Sequence, residues 1–372
     1  MSFLHDSLLP WHASLWPALM SQSSKNGGLL LSGPGGHGKR HLARRLSQAL
    51  LCEQPHADGQ PCGQCAGCLL FRANQHPDFV EIVTEQHWDD FVRLRTEGSD
   101  GGGDGAGSGD SAATSSGGDR EQKVSRDIRI VDIRKLERLT TLSAHRAGRR
   151  VVLIWPADEM TTEASNALLK TLEEPGQGLH FILVSAHAGK LLPTVRSRVR
   201  VQECPGADIK QARAWLVAQG VAEPDIALGL STGAPLKALA LAADADSAGD
   251  SLHNRNNFIA WLLDRNSSAP TERPAAFDKL GLGVVLQLVL LTGSELLRAA
   301  QGAGVKHLLH FNDALMQQAA TLRNSPAQQS ALHRLLKTCL DFMPHAEHPL
   351  NVRMQLDDLL QDWFAALKRK TA

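Results

Sequence analysis

The chain has 372 residues, enough for two or three domains, and 39 basic side chains balance 39 acidic ones to a formal net charge of zero. That balance supplies no global field toward nucleic acid or a membrane, and proteins that cover DNA over a wide surface are more often basic. No apolar run reaches the roughly 18 residues of a membrane span, and the opening MSFLHDSLLPWHASLW lacks a charged-then-apolar leader pattern, so the expected location is cytoplasmic.

In chain order, Leu29-Leu30-Leu31 predicts a short buried strand, followed by the loop Gly33–Arg40 (GPGGHGKR) and by Leu42, Leu46, Ala49 and Leu50 at helical spacing. Strand, loop and helix in that order are the setting of a P-loop, written G-x-x-x-x-G-K-[ST]. Its glycines let backbone N–H groups wrap phosphates, its lysine reaches the outer phosphates, and its hydroxyl ligates Mg²⁺. Gly33, Gly36, Gly38 and Lys39 are the nucleotide-binding candidates, but Arg40 stands where Ser or Thr belongs, and a guanidinium cannot ligate a cation. An ordinary strand-to-helix turn is the alternative. As a P-loop, the segment reads as the remnant of an ATPase rather than a working one, with nucleotide binding left open.

Cys52, Cys62, Cys65 and Cys68 crowd into one stretch, the last three as overlapping C-x-x-C units. In a reducing compartment such a cluster points to metal rather than disulfides. Four thiolates suit tetrahedral Zn²⁺, and Gly63 and Gly67 allow tight turns, so a structural zinc that staples a loop is expected. A redox C-x-x-C or an iron–sulfur site are the other readings. His56 and His76 are possible ligands but, with four cysteines at hand, are expected on the surface; Cys204 and Cys339 read as buried thiols.

Gly98–Asp119 contains only glycine, serine, aspartate, alanine and threonine, so it has nothing large to bury and reads as a flexible insertion. It falls inside one domain, between a strand at Phe79–Val83 and an amphipathic helix at Ile128–Leu142. Val151-Val152-Leu153-Ile154 then predicts a central parallel strand. In P-loop ATPases that strand ends in acidic residues that support Mg²⁺ and activate water. Here Trp155-Pro156 follows it, and Asp158 and Glu159 come three residues late, past a proline that turns the chain; a displaced acidic pair is the alternative, and the favoured reading is that a second magnesium-handling position is lost. A helix capped by Thr161 or Thr162 carries Ala164, Leu168 and Leu172 on one face as far as Pro175-Gly176, and His180–Ser185 predicts a further strand. This order is that of an α/β fold with a parallel sheet. Glu173 and Glu174, at the helix end, are expected to be solvated or at an interface.

The stretches Ala164–Pro175 (ASNALLKTLEEP) and His180–Arg200 (HFILVSAHAGKLLPTVRSRVR) resemble the AAA+ subunits of bacterial clamp loaders. The resemblance is strong from about Trp11 to Arg200 and looser beyond, and the degraded P-loop with its cysteine module narrows it to one branch. It implies an α/β P-loop NTPase (AAA+) domain with a parallel sheet at 1–204, a small helical lid at 205–247 and an all-α collar for oligomerisation at 248–372. Family members carry Ser-Arg-Cys, whose arginine enters a neighbour's ATP site. Ser197-Arg198 match and Val199 replaces the cysteine, so Arg198 is the candidate arginine finger in trans. An ordinary surface arginine, as Arg196 and Arg200 read, is the alternative. Ser185 matches a γ-phosphate sensor, while the sensor arginine expected after a Gly-x-Pro turn is missing: Gly233-Ala234-Pro235 leads to Leu236, and the nearest cation is Lys237.

The implied function is a non-hydrolysing clamp-loader subunit. Its implied partners are the delta and tau/gamma subunits, with the sliding clamp and primer-template DNA reached through the complex and no membrane. Two other readings stay open, an autonomous ATPase of the tau/gamma type and a zinc-dependent nucleic-acid-binding module. Toward the C-terminus, Asp244–Asp250 reads as a hinge and Val284–Ala299 and Val352–Trp363 as helices, the latter with Val352, Leu356, Leu359, Leu360 and Trp363 along one buried side.

Overall fold

The computed structural model describes residues 8–23, 27–84, 127–140, 148–243, 252–264, 277, 280–343 and 352–367. The expected insertion at Gly98–Asp119 and hinge at Asp244–Asp250 lie outside them. The chain divides into two compact units, Met1–Gly206 and Ala207–Ala372.

The first unit is built on five parallel strands, β1 (Gly27–Ser32), β2 (Phe79–Val83), β3 (Arg150–Trp155), β4 (Leu179–Ser185) and β5 (Val199–Glu203), in the spatial order β2-β3-β4-β1-β5. Helix α1 (Trp16–Ser23) precedes the sheet, and the crossovers that parallel neighbours need are α2 (Lys39–Leu50), α3 (Ala66–Arg72), α4 (Ile130–Thr140), α5 (Thr162–Glu173) and α6 (Pro193–Arg196) with their loops. Helices on both faces explain why β4 is buried at every position. The pleat sends Leu30, Val152, Ile154, Phe181 and Leu183 toward Leu168 and Leu172 of α5. Their sequence neighbours Leu29, Leu31, Val151, Leu153, Ile182 and Val184 face Leu42 and Leu46 of α2. Thr161 caps α5, its Oγ1 accepting the Ala164 N–H at 3.2 Å. The glycine loop thus leaves the carboxyl end of β1, between β4 and β5, where open α/β sheets bind ligands.

The second unit contains helices and no strand among the described residues: α7 (Ile209–Ala218), α8 (Pro224–Leu230), α9 (Pro235–Ala243), α10 (Leu252–Leu263), α11 (Leu282–Ala300), α12 (Asn312–Arg323), α13 (Pro326–Phe342) and α14 (Val352–Leu367). Ala212, Leu216, Ala227, Leu228 and Ala238 form a small core, and Phe258, Val289, Leu296, Leu360 and Trp363 belong to a larger one. Leu356, Leu359, Leu360 and Trp363 of the α14 stripe are buried, and the Trp363 Nε1–H donates to the Leu262 carbonyl at 3.2 Å. Helix α11 is long and apolar enough to cross a membrane by length and composition, but 67% of it is buried inside its own unit, as in the core helix of a bundle.

Candidate functional site

The glycine loop is held by close approach and by its own lysine. A Cβ on Gly33 would lie 2.1 Å from the Cys204 carbonyl oxygen, while the Cys204 N–H donates to Ser32 O at 2.6 Å. Gly36 (φ 77°) and Gly38 (φ 85°) take the left-handed conformation that favours glycine. Lys39, which opens α2, donates from Nζ to the carbonyls of Gly33 and Pro34, each at 2.6 Å, so the ammonium is turned back into the loop. A 3₁₀ turn, Pro10–Leu15, braces the same loop, the Trp11 Nε1–H donating to the His37 carbonyl at 2.8 Å. His12 beside it is 1% exposed; burial, followed by His37 and Lys39, pushes its pKa down to about 4.

The position next to Lys39 is filled by an ion-paired, stacked cation. Arg40 Nε donates to Glu81 Oε1 at 3.0 Å, and its guanidinium carbon lies 4.4 Å from the centre of the Trp155 ring. Arg44 pairs with the other Glu81 oxygen and donates to Asn74 Oδ1 at 2.8 Å. With Arg40 7% and Glu81 2% exposed, the pair is nearly dry. The sequence reading treated Arg40 and Trp155 as separate losses, but the fold brings them into contact. Asp158 and Glu159 sit in a 3₁₀ turn, Ala157–Glu159, past the end of β3. That turn is tied to Ile128, whose N–H donates to Glu159 O at 2.8 Å and whose carbonyl accepts from Thr161 N at 3.0 Å. Ser185 is fully buried at the end of β4, where its Oγ accepts the His187 N–H at 2.9 Å and closes a turn. In the second unit Gly233 has φ 83°, α9 starts at Pro235, and Lys237 is exposed.

The cysteines converge as their spacing predicts. The Sγ atoms of Cys52, Cys62, Cys65 and Cys68 all lie within 4.8 Å of one another, with Cys52–Cys62 at 3.6 Å, Cys52–Cys65 at 3.8 Å and Cys62–Cys68 at 4.0 Å. Tetrahedral M–S bonds of about 2.3 Å put ligand sulfurs about 3.8 Å apart, so the geometry fits one metal ion. All four thiols are free of disulfides. Backbone N–H groups already point at the sulfurs: Cys62 N at Cys52, Cys65 N at Cys62, and Cys68 N at Cys65, at 3.3 to 3.4 Å. Such donors stabilise thiolates, and those from Gln64 and Cys65 pull the Cys62 pKa down to about 6, whereas burial raises Cys52 and Cys68. His56 is exposed as expected. His76 is not: it is 4% exposed, with Nδ1 accepting the Asp78 N–H at 3.1 Å, because the turn into β2 folds it beneath Gly67 of α3. Neither joins the cysteine group. Cys204 and Cys339 are buried, and burial lifts each to a pKa of about 11.

Arg198 follows α6 at the start of β5 and is one-third exposed (34%). Nε and Nη2 both reach Glu173 Oε1, at 2.6 and 2.5 Å, and Nη1 donates to the Thr194 carbonyl at 2.9 Å. Glu173, expected to be solvated or at an interface, is half-exposed and bound to the candidate finger. Sequence reasoning missed Glu81 and Glu173 as partners. A single charge inside the apolar strand FVEIV was the one available signal for Glu81.

A family model described as "DNA polymerase III, delta subunit" matches residues 13–206, just over half of the chain. The chain belongs to the DNA polymerase III delta-prime family. The "DNA polymerase III subunit delta'" of Pseudomonas aeruginosa is 33% identical over 62% of this chain and 60% of its own length, so that match spans less than two thirds of the relative. The Yersinia pestis delta' subunit is 27% identical over 97% of both chains. A gamma/tau subunit of Mycobacterium tuberculosis is 31% identical over 46% of this chain and 23% of its own length. Within the delta-prime family, the parallel sheet, the glycine loop and the cysteine cluster all fall inside the matched region.

Proposed function

We propose that this chain is a non-hydrolysing subunit of the bacterial replicative clamp loader, working in the cytoplasm with the delta and tau/gamma subunits to place the sliding clamp on primed DNA. The observation that carries the reading is the Arg40–Glu81–Trp155 contact at the magnesium corner. A buried guanidinium offers no lone pair to a metal, and β3 ends on Trp155 with Asp158 and Glu159 set back in the following 3₁₀ turn, so neither position that a P-loop site uses for Mg²⁺ carries its usual ligand. This disfavours the autonomous tau/gamma-type reading despite the gamma/tau similarity.

Under the same proposal Arg198 completes a neighbour's ATP site, where a guanidinium supplied in trans stabilises charge growing on the γ-phosphoryl group. Its partial exposure on the surface of the first unit supports that role. The four thiolates hold a structural Zn²⁺, a closed four-sulfur set with no position left for a reacting ligand. The helices of 205–247 serve as a lid and those of 248–372 as a collar that joins subunits.

Reconstitution with delta and tau/gamma tests the whole reading. The wild-type chain should co-purify with them, and Arg198→Ala should assemble equally well while slowing hydrolysis at the site it serves by about a thousandfold. Magnesium-dependent ATP turnover by the isolated chain, or unchanged hydrolysis with Arg198→Ala, overturns it.

A further inference from the structure

We infer that Glu173 is a positioning residue for the arginine finger, holding the guanidinium in the orientation it presents to a neighbouring subunit. The inference rests on the assignment of Arg198 as that finger. An exposed arginine has several rotatable bonds, and ordering it on a ligand costs rotamer entropy. Here much of that order exists beforehand. Glu173, the last residue of α5, accepts from both Nε and Nη2, while Thr194 of α6 accepts from Nη1 at its backbone carbonyl, with the Ser197 hydroxyl 3.4 Å from the same nitrogen. The side chain is thus braced by two helices of its own unit, and of its five N–H groups the second on Nη2 is left for a phosphoryl oxygen.

The same contact has an opposite reading, in which the carboxylate competes with the neighbour's phosphate and restrains the finger. The two readings differ in sign. If Glu173 positions, removing it slows the chemistry; if it competes, removing it speeds the chemistry. Positioning is favoured by the attachment, since Nε and the Thr194 carbonyl fix the base and inner edge of the fork rather than capping all of it.

The test is single-turnover ATP hydrolysis by the reconstituted complex, with ATP affinity and the melting temperature of the full chain measured alongside. Arg198→Ala identifies the finger-dependent phase. Glu173→Ala should slow that phase about tenfold with ATP affinity and melting temperature unchanged, and Glu173→Gln, which keeps Oε1 as acceptor, should recover most of the rate. Faster hydrolysis with both variants, or no change with either while Arg198→Ala removes the phase, overturns the inference. If Arg198→Ala leaves every phase intact, the finger assignment itself falls and takes this inference with it.

Discussion

The guanidinium of Arg40 lies over the ring of Trp155 at 4.4 Å, and under the proposed reading these two residues stand where a magnesium-dependent P-loop protein carries its hydroxyl and its carboxylate. Each replacement accommodates the other: the arginine finds an aromatic face and Glu81, and the tryptophan finds a cation to cover. Reversing one alone therefore should not restore function. Arg40→Thr is expected to give no ATPase in the isolated chain and to lower stability by about 2 kcal/mol, because Glu81 stays buried with only Arg44 beside it. A cycle of Arg40→Ala and Trp155→Ala should give a coupling of about 1 kcal/mol, read by denaturant unfolding. Strict additivity would show that the stacking is incidental.

The cysteine site should carry metal as isolated. Elemental analysis is expected to find one equivalent of zinc per chain, lost on chelation or in Cys68→Ser, with a lower melting temperature for the first unit. A chain that retains full stability without metal would leave the cluster as four packed thiols.

Buried histidines set an acid limit. Burial, then His37 and Lys39, holds His12 at about 4; burial, then Arg149 and Arg200, does the same for His180. In the unfolded chain both return to their usual value of 6.5, so between those values the unfolded state binds the extra protons. Stability is intact above pH 6.5 and declines as pH falls toward 4, by up to about 3 kcal/mol for His12. Melting temperatures from pH 7.5 to 4.5 should fall less steeply in His12→Gln than in the wild type; parallel curves would refute the assignment.

Gly33 has a structural duty separate from any nucleotide. Gly33→Ala would set a methyl group against the Cys204 backbone carbonyl, forcing β1 and the residue after β5 apart. A loss of about 2 kcal/mol is expected in the absence of any ligand, measured by chemical unfolding. A neutral substitution would mean that the loop relaxes freely.

The local patterns read well from sequence because their physics is local. Leu29–Leu31, Phe79–Val83, Val151–Ile154 and His180–Ser185 all became strands, since continuous apolar runs suit a sheet covered on both faces. The cysteines likewise declared themselves through short spacing. The contacts that give the site its character are not local: Arg40 meets Glu81 across 41 residues, and Arg198 meets Glu173 across 25. No periodicity links such pairs, so Glu173 read as a helix end either solvated or at an interface, and His76 was misplaced because a turn, not a helical face, buries it.

Helix α2 starts at Lys39 and its last turn leads straight into Cys52, whose N–H still bonds Ala49 O at 3.3 Å. Its 12 residues make a strut about 18 Å long. One end is fastened by Arg40 to β2 and β3, the other by the cysteine sulfurs, so neither end is free to swing. One helix therefore ties the cysteine cluster to the glycine loop, so the placement of the one fixes the placement of the other.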